Sequence, residues 1–227
     1  SLQENINRLQ QWCDCWLMTL NPAKCKVVTF SRRRNPLSYS YSINNISLEA
    51  SPSYKYLGVT LTKDLSWNAH ITNVISSSNK SLGFLKRHLK QAPKHVRLLA
   101  YQTIIRPKLE YACAVWSPHQ TYLSNALETV QNRAVRFIHS QYSYHVSVSL
   151  LRKDLGLPTL AHRRRVLSLS LFHKFYHCSL NQTPYIIPPG RTSHRTGHIN
   201  HVGRPRTRTT TFSGSFFFRT AIDWNSL

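Results

Sequence analysis

Along the first twenty positions Leu2, Ile6, Leu9, Cys13, Trp16 and Leu20 recur at steps of three and four. That spacing lays an apolar stripe along one face of a helix. Asn21–Pro22 ends it, because the residue before a proline avoids helical backbone angles. The pattern then changes to β-branched alternation. Residues 24–31 (KCKVVTFS) read as a strand and 32–36 (RRRNP) as a basic turn. Residues 39–48 read as a hairpin turning at Asn44–Asn45, with Tyr39, Tyr41 and Ile43 on one face. Tyr54 to Leu61 reads as a single further strand, in which Gly58 marks a bulge or a close backbone approach.

Beyond Trp67 the period becomes helical. Ile71, Val74, Ile75, Leu82, Leu85 and Leu89 predict a helix of about five turns. Residues 91–93 (QAP) break it. Val96, Leu99, Ala100, Thr103 and Ile104 predict a second helix, halted before Pro107. A short third follows at 108–116, then a loop, then a fourth carried by Leu123, Leu127, Val130, Ala134, Phe137 and Ile138. Residues 155–160 bend, with Thr159 as the N-cap of a fifth long helix over 161–178. From Pro184 the chain is rich in Pro, Gly, Thr, Arg and His, which predicts a loosely ordered arm docked along the body. Residues 213–227 recover an aromatic segment that should bury Phe216, Phe218 and Trp224. The fold class is therefore α+β and mainly α: a small antiparallel sheet, a helical bundle and a basic, partly disordered arm.

Charge changes the picture most. Thirty Lys and Arg stand against eight acids, a net +22. Such a chain repels itself unless a polyanion screens it, and nucleic acid, which releases counterions on binding, is the natural partner. An acidic membrane surface is the lesser alternative; no apolar run of membrane-spanning length occurs, so no transmembrane helix is expected, and no membrane is assigned as a partner. The polar, helical N-terminus is not a signal peptide. The five Cys are odd in number and sit in apolar patterns. They read as reduced thiols of an intracellular protein, not a disulfide frame of a secreted one.

The acids are Glu4, Asp14, Glu49, Asp64, Glu110, Glu128, Asp154 and Asp223, no two closer than ten residues. A two-metal phosphoryl-transfer site needs clustered carboxylates, and this spacing weighs against an autonomous polymerase or nuclease. Zinc would need four ligands at recognisable spacing. His173/His177 with Cys178, His194/His198/His201 and Cys13/Cys15 each leave the set incomplete, so no metal site is assigned. Neither a nucleophile elbow nor a phosphate loop is present, and no small-molecule substrate is implied.

The basic residues carry the functional signal. They cluster at Arg32–Arg34, Lys86/Arg87/Lys90, Lys94/Arg97, Arg106/Lys108, Arg133/Arg136, Arg152/Lys153 and Arg163/Arg164/Arg165. Arg133 and Arg136 stand one helical turn apart and face the same way. One such cluster is usually a solvated face, but this many with so few acids between them suit phosphate contacts, which fix register without reading bases. Tyr39, Tyr41 and Tyr101 are the aromatics that could stack on bases or sugars, although most aromatics serve a core.

Six segments carry a family resemblance, in order: LQENINRLQQWCDCWLMTLNPAKCKVVTF, YKYLGVTLTKDLSWNAHI, AYQTIIRPKLEYACAVWSP, LETVQNRAVRFI, LGLPTLAHRRR and SFFFRTAIDWNSL. The chain resembles the C-terminal part of the reverse transcriptases of non-LTR retrotransposons, LINE-type and jockey-like, of the kind common in arthropods and ticks. The first segment resembles their motif D, the second motif E or primer grip, and the rest the helical thumb and trailing region.

The resemblance implies a palm remnant at 1–66, a helical thumb at 67–180 and a basic arm with an aromatic tail at 181–227. It implies that Lys24 is the motif D lysine, which in related polymerases assists pyrophosphate departure as a general acid. Tyr56, Leu57 and Gly58 would be the primer grip. Lys86, Arg87, Lys90, Arg97, Arg133, Arg136, Arg163, Arg164 and Arg165 would hold the backbone of an RNA–DNA hybrid or DNA duplex. The catalytic aspartate box, and the upstream palm and fingers as partners, are expected before residue 1, so the chain alone is expected to be inactive. Mg2+ is expected for the parent polymerase and no cofactor for this segment, and the resemblance implies a nuclear or cytoplasmic ribonucleoprotein as its location. A stand-alone nucleic-acid-binding module and a non-functional transposon remnant are the competing readings.

Overall fold

Helix α1 (Leu2–Cys15) starts from a capping box: the Ser1 side chain accepts from the Glu4 amide while the Glu4 carboxylate reaches back to the Ser1 amine. The computed structural model describes residues 1–31, 33–177, 185–189 and 200–227. It divides into two compact units, Ser1–His70 and Ile71–Leu227.

The expected helix over residues 2–20 stops five residues early. Leu17 takes a left-handed conformation (φ 54°), and the amides of Leu17 and Met18 return to the carbonyls of Asp14 and Cys13. That is the double bond pattern of a Schellman ending, reached before Asn21–Pro22 can act. Pro22–Lys24 forms a single 3-10 turn.

In the first unit the strands form three separate two-stranded ladders, which replace the one antiparallel sheet expected. β1 (Lys26–Val27) pairs with β4 (Glu49–Ala50) in parallel. β2 (Ser42–Ile43) and β3 (Ile46–Ser47) pair antiparallel around Asn44–Asn45, both at positive φ, as the hairpin reading required. The strand expected over Tyr54–Leu61 is instead a hairpin. β5 (Ser53–Tyr56) and β6 (Val59–Thr62) are antiparallel, with Tyr56 opposite Val59. Leu57 (φ 45°) and Gly58 (φ 84°) form a two-residue turn with both central residues left-handed. Gly58 thus reverses the chain and does not bulge it.

Helix α1 docks on β2 through amides. Gln3 donates to the Ser42 carbonyl (2.9 Å) and accepts from the Ser42 amide (3.0 Å), and Gln10 accepts from the Asn44 amide (3.1 Å). Gln3 therefore completes the strand edge as a neighbouring strand would. The stripe expected from the sequence is divided: Cys13 is buried and Ile6 and Leu20 are half-buried, whereas Leu2, Leu9 and Trp16, with Trp12 beside them, are exposed.

Helix α2 (Asn68–His88) leads into a helical bundle of α3 (Lys94–Ala100), α4 (Arg106–Glu110), α5 (Cys113–Trp116), α6 (Thr121–His139), α7 (Val148–Asp154) and α8 (Leu160–His177). The second expected helix is not halted by Pro107. A π-helical turn at Tyr101–Ile105 joins α3 to α4, with Pro107 in the first turn of α4. Widening the turn accommodates a residue that has no N–H and whose ring crowds the preceding turn. Ala112 in the left-handed region (φ 52°) splits the expected third helix into α4 and α5. The short helix α7 has no counterpart in the sequence reading; Gly156 (φ 61°) ends it. Thr159 caps α8 as expected, its hydroxyl accepting from the His162 amide at 3.1 Å.

Helix α6 is the centre of this unit. It buries Leu123, Leu127, Val130, Gln131, Ala134, Val135, Phe137 and Ile138. Gln131 joins three elements, accepting from the Tyr101 hydroxyl (2.6 Å) and donating to the Pro158 carbonyl (2.9 Å). Tyr101, offered by the sequence as a base-stacking ring, is 1% exposed. Its burial pushes the phenol well above its usual range.

After Asn200 the chain runs without helix or strand to a bend at Arg208–Thr209, then to the short helix α9 (Thr210–Ser213) and to α10 (Phe216–Trp224), which packs on α8. Val202, Phe172, Ala221 and Trp224 form one buried cluster. Trp224 is buried as expected, whereas Phe216 and Phe218 are half-buried. The arm expected from Pro184 onward falls partly outside the described residues, as do Cys178, His194 and His198.

Arg97 ties the bundle together. Its buried guanidinium donates to the carbonyls of Leu89, Lys90 and Phe137 and to the Ser140 hydroxyl. Those acceptors lie at the C-terminal ends of α2 and α6. Arg97→Ala is expected to lower the unfolding free energy by about 3 kcal/mol or more, because it strands buried carbonyls. Arg97→Lys should recover little, since one ammonium cannot span the acceptors a guanidinium fork reaches. Urea denaturation followed by circular dichroism measures both; a wild-type midpoint for either variant would contradict this role.

Candidate nucleic-acid interface

The last turns of α2 and the second half of α6 bring basic side chains together. Asn79 and Lys86 lie two turns apart on one face of α2. Arg133, exposed on α6, donates to the Asn79 side chain at 3.4 Å. Lys86 is half-buried, and its ammonium lies 5.8 Å from the centre of the Tyr142 ring, a cation–π contact. Burial, and then the nearby Arg133 charge, hold the Lys86 ammonium below the usual lysine value. Arg136, one turn on, donates to the carbonyls of Ser143 (2.8 Å) and Val146 (3.4 Å). It thereby fixes the loop that presents Tyr142. Arg87 and Lys90 are exposed at the C-terminal end of α2, where the helix dipole favours cations.

The acids lie elsewhere. Glu110 is paired with Arg163, Asp154 with Lys94 and Asp223 with Arg165. Lys26 holds Glu49, and the N-terminal amine holds Glu4. Glu128 accepts from the Ala161 amide at 2.8 Å and Asp64 from the Ser66 amide at 3.2 Å. None of these ion pairs involves Lys86, Arg87, Lys90, Arg133 or Arg136. The α2–α6 face is positive without a compensating carboxylate.

The other nominated bases have different surroundings. Arg97 is buried as described, and Arg164 is 3% exposed with its guanidinium on the Ser124 hydroxyl at 3.0 Å. Both face the interior. Arg163 is held by Glu110, and Arg165 by Asp223 with a further bond to Ser226. In the first unit Tyr56 and Leu57 are exposed at the β5–β6 turn. Lys24 is exposed, and its carbonyl accepts from the Tyr54 hydroxyl at 3.2 Å. Asn79 and Tyr142 were not nominated from the sequence. The two-turn spacing from Lys86 could have found Asn79, whereas no pattern marks Tyr142, which arrives from a loop.

A polar cleft of about 490 Å³ lies between α1 and the β2–β3 hairpin, lined by Asn7, Gln10, Gln11, Ser42, Asn44 and Asn45. It contains no titratable group. Among the described residues no three His, Cys, Asp or Glu side chains converge on a point that could hold a metal ion. The carboxylates are dispersed and mostly engaged, so they do not fit the Mg2+ implied for the parent polymerase. Among the described residues no helix is long and apolar enough to cross a membrane.

No family model and no solved structure matches the chain. Curated relatives do. Over 164 residues it is 28% identical to the RNA-directed DNA polymerase from mobile element jockey of Drosophila melanogaster, covering 70% of the chain and 18% of that protein. Over 210 residues it is 25% identical to the probable RNA-directed DNA polymerase from transposon BS of the same fly, covering 90% of the chain and 23% of that protein. The polymerase from transposon X-element is 24% identical over 162 residues. The resemblance read from the sequence, to non-LTR retrotransposon polymerases, is thus shared with several such proteins. The chain spans about a fifth of the length of the curated relatives it matches.

The proximity of Lys86 and Arg133 has a spectroscopic consequence. Removing a like charge favours the charged form, so Arg133→Gln is expected to raise the Lys86 pKa. The return toward the ordinary lysine value should be partial, because burial is the larger cause and remains. Side-chain NMR titration of Lys86 reads this directly; an unchanged titration would separate the two residues.

Proposed function

We propose that this chain is a segment of a retrotransposon RNA-directed DNA polymerase whose task is to hold template–primer duplex. The observation that carries the reading is the α2–α6 face. Lys86 and Arg133 lie close enough there to repel each other, Arg87 and Lys90 are exposed at the end of α2, Arg136 stands one turn from Arg133, and among the described residues none of them is ion-paired to a carboxylate. Crowding like charges costs energy unless a polyanion neutralises them, and phosphates do so while releasing counterions. The bases come from helix surfaces rather than from a cleft that could read base edges. They suit sequence-independent backbone contact with an RNA–DNA hybrid or DNA duplex.

In this reading residues 1–66 are a palm remnant, 67–180 a thumb and 181–227 a trailing arm. The β5–β6 turn at Tyr56, Leu57 and Gly58 is the primer grip, its exposed Tyr and Leu facing the primer end. Lys24 is the motif D lysine. The exposed stripe of Leu2, Leu9, Trp12 and Trp16 on α1 supports contact with the upstream palm and fingers of a longer polymerase. Chemistry would belong to those upstream parts. The chain by itself should not extend a primer, and metal-dependent extension by the purified chain would sink that part of the reading.

The test of the grip is a titration of a labelled RNA–DNA hybrid at several salt concentrations. Log affinity should fall steeply with log salt and vary little with sequence. Lys86→Gln/Arg133→Gln should reduce the slope by roughly 2, about one unit per lost phosphate contact. A hybrid that fails to bind at low salt, or an unchanged slope in the double variant, would overturn the assignment.

A further inference from the structure

The residues from Asn200 to Phe212 form a second basic feature, built differently from the α2–α6 face. Arg204, Arg206 and Arg208 are exposed, while Pro205 and Thr207 between them are half-buried. Every second side chain is thus turned outward as far as the bend at Arg208–Thr209, the alternation a chain shows when it lies extended on a surface. Both ends are anchored. Asn225 exchanges two hydrogen bonds with the Val202 backbone, at 3.0 and 2.8 Å. The Trp224 indole donates to the Asn200 carbonyl at 2.8 Å. Val202 is 3% exposed. The Gly203 amide donates to the Ile187 carbonyl at 2.7 Å, and a Cβ on Gly203 would stand 2.6 Å from the Pro188 carbonyl oxygen. At the far end the Thr209 hydroxyl caps α9 by accepting from the Phe212 amide at 3.2 Å, and the Phe212 ring lies 6.3 Å from that of Phe218 on α10.

We infer that this anchored segment is a rail for one extended strand of nucleic acid. Alternate residues of an extended chain stand about 6.6 Å apart, close to the step between neighbouring phosphates along one strand. Three guanidiniums in line can therefore each meet a successive phosphate. A duplex suits such a row less well, because the phosphates of each strand wind away from a straight line. Anchoring at both ends removes much of the ordering cost that a disordered arginine tail would meet on binding. Competing carboxylates are far off in sequence: between Asp154 and Asp223 the chain has none, and Asp223 is engaged by Arg165. Phe212, 48% exposed just past Arg208, offers a ring on which a base can stack.

The inference rests on the reading of this chain as a nucleic-acid-binding one, but it uses none of the residues of the α2–α6 face. The experiment measures fluorescence anisotropy of the whole chain with labelled oligodeoxythymidylate and, separately, with an RNA–DNA hybrid. Arg204→Gln/Arg206→Gln/Arg208→Gln should weaken the single strand about tenfold or more and lower its salt slope by about 2, at roughly 0.7 per phosphate. Hybrid affinity should stay within about twofold. Arg206→Glu is the second variant, with one exposed side chain changed, and should weaken the single strand in the same direction. Near-ultraviolet circular dichroism of the Trp224 environment confirms that the segment stays docked. Unchanged single-strand binding, or an equal loss on both ligands, would overturn the rail. Loss of hybrid binding in Lys86→Gln/Arg133→Gln with single-strand binding retained would support separate sites. A wild-type chain that binds the single strand through these arginines and ignores the hybrid would leave the rail standing and remove the duplex grip.

Discussion

A guanidinium held by carbonyls, with no carboxylate beside it, organises the second unit. Arg97 collects the C-terminal carbonyls of α2 and α6 in one fork. Arg219 does the same at the end of α5, donating to Ala114 and Ser117 at 2.6 Å each. Arg136 holds the loop after α6 by two more carbonyls. The last carbonyls of a helix lack partners within it and carry the negative end of the dipole, so each is a ready acceptor for a cation. Burial pulls Arg219 down to about 10, which still leaves it charged at neutral pH. In a chain with eight acids this solution has a structural logic: helix ends do the work that carboxylates do in a balanced protein.

The same arrangement decides where positive charge is left over. The acids hold α1 at its start, β1 to β4, α4 to α8 and α8 to α10, one joint at a time. The interior Arg97 and Arg219 are held mainly by backbone carbonyls, whereas Arg164 bonds the Ser124 hydroxyl. Cations on the outer turns of α2 and α6 and along residues 204–208 therefore meet solvent without neutralising partners. Lys86 shows the cost, its ammonium disfavoured by burial and by Arg133 beside it. Binding a polyanion reverses the sign of that local term, so the feature that strains the apo surface is the one that favours the complex.

Much of the helical part was legible in the sequence, because α2 and α6 each have a long apolar period and α8 has the capping signal Thr159. The sheet was less legible. In Leu57–Gly58 the first residue is an ordinary leucine, and nothing in its side chain announces a left-handed turn, so a hairpin looked like one strand. Short α7 has too few apolar positions to show a period. The basic clusters were visible but not their fates. Arg163, Arg164 and Arg165 are adjacent in sequence, yet one is bound to Glu110, one is buried and one is bound to Asp223. A helix rotates about 100° per residue, so three neighbouring arginines cannot form one surface. Arg133 and Arg136 share a face, yet Arg136 is occupied by a loop that only tertiary folding brings near.

The first unit obeys the opposite economy. In α1 the residues that grip the sheet are amides, Gln3 and Gln10, a heptad apart and bonded to strand backbone. Cys13 and Ile6 of its apolar stripe turn inward, but Leu2, Leu9 and Trp16, with Trp12 beside them, remain at the surface. Two-stranded ladders of two to four residues contribute little stability by themselves, and an exposed row of large apolar side chains is costly in water. An amphipathic helix that saturates a strand edge with its polar side and holds out its apolar side is built to be covered on both faces. That geometry is the observation behind the proposed contact with a longer polymerase, and the curated relatives are about four times as long as this chain.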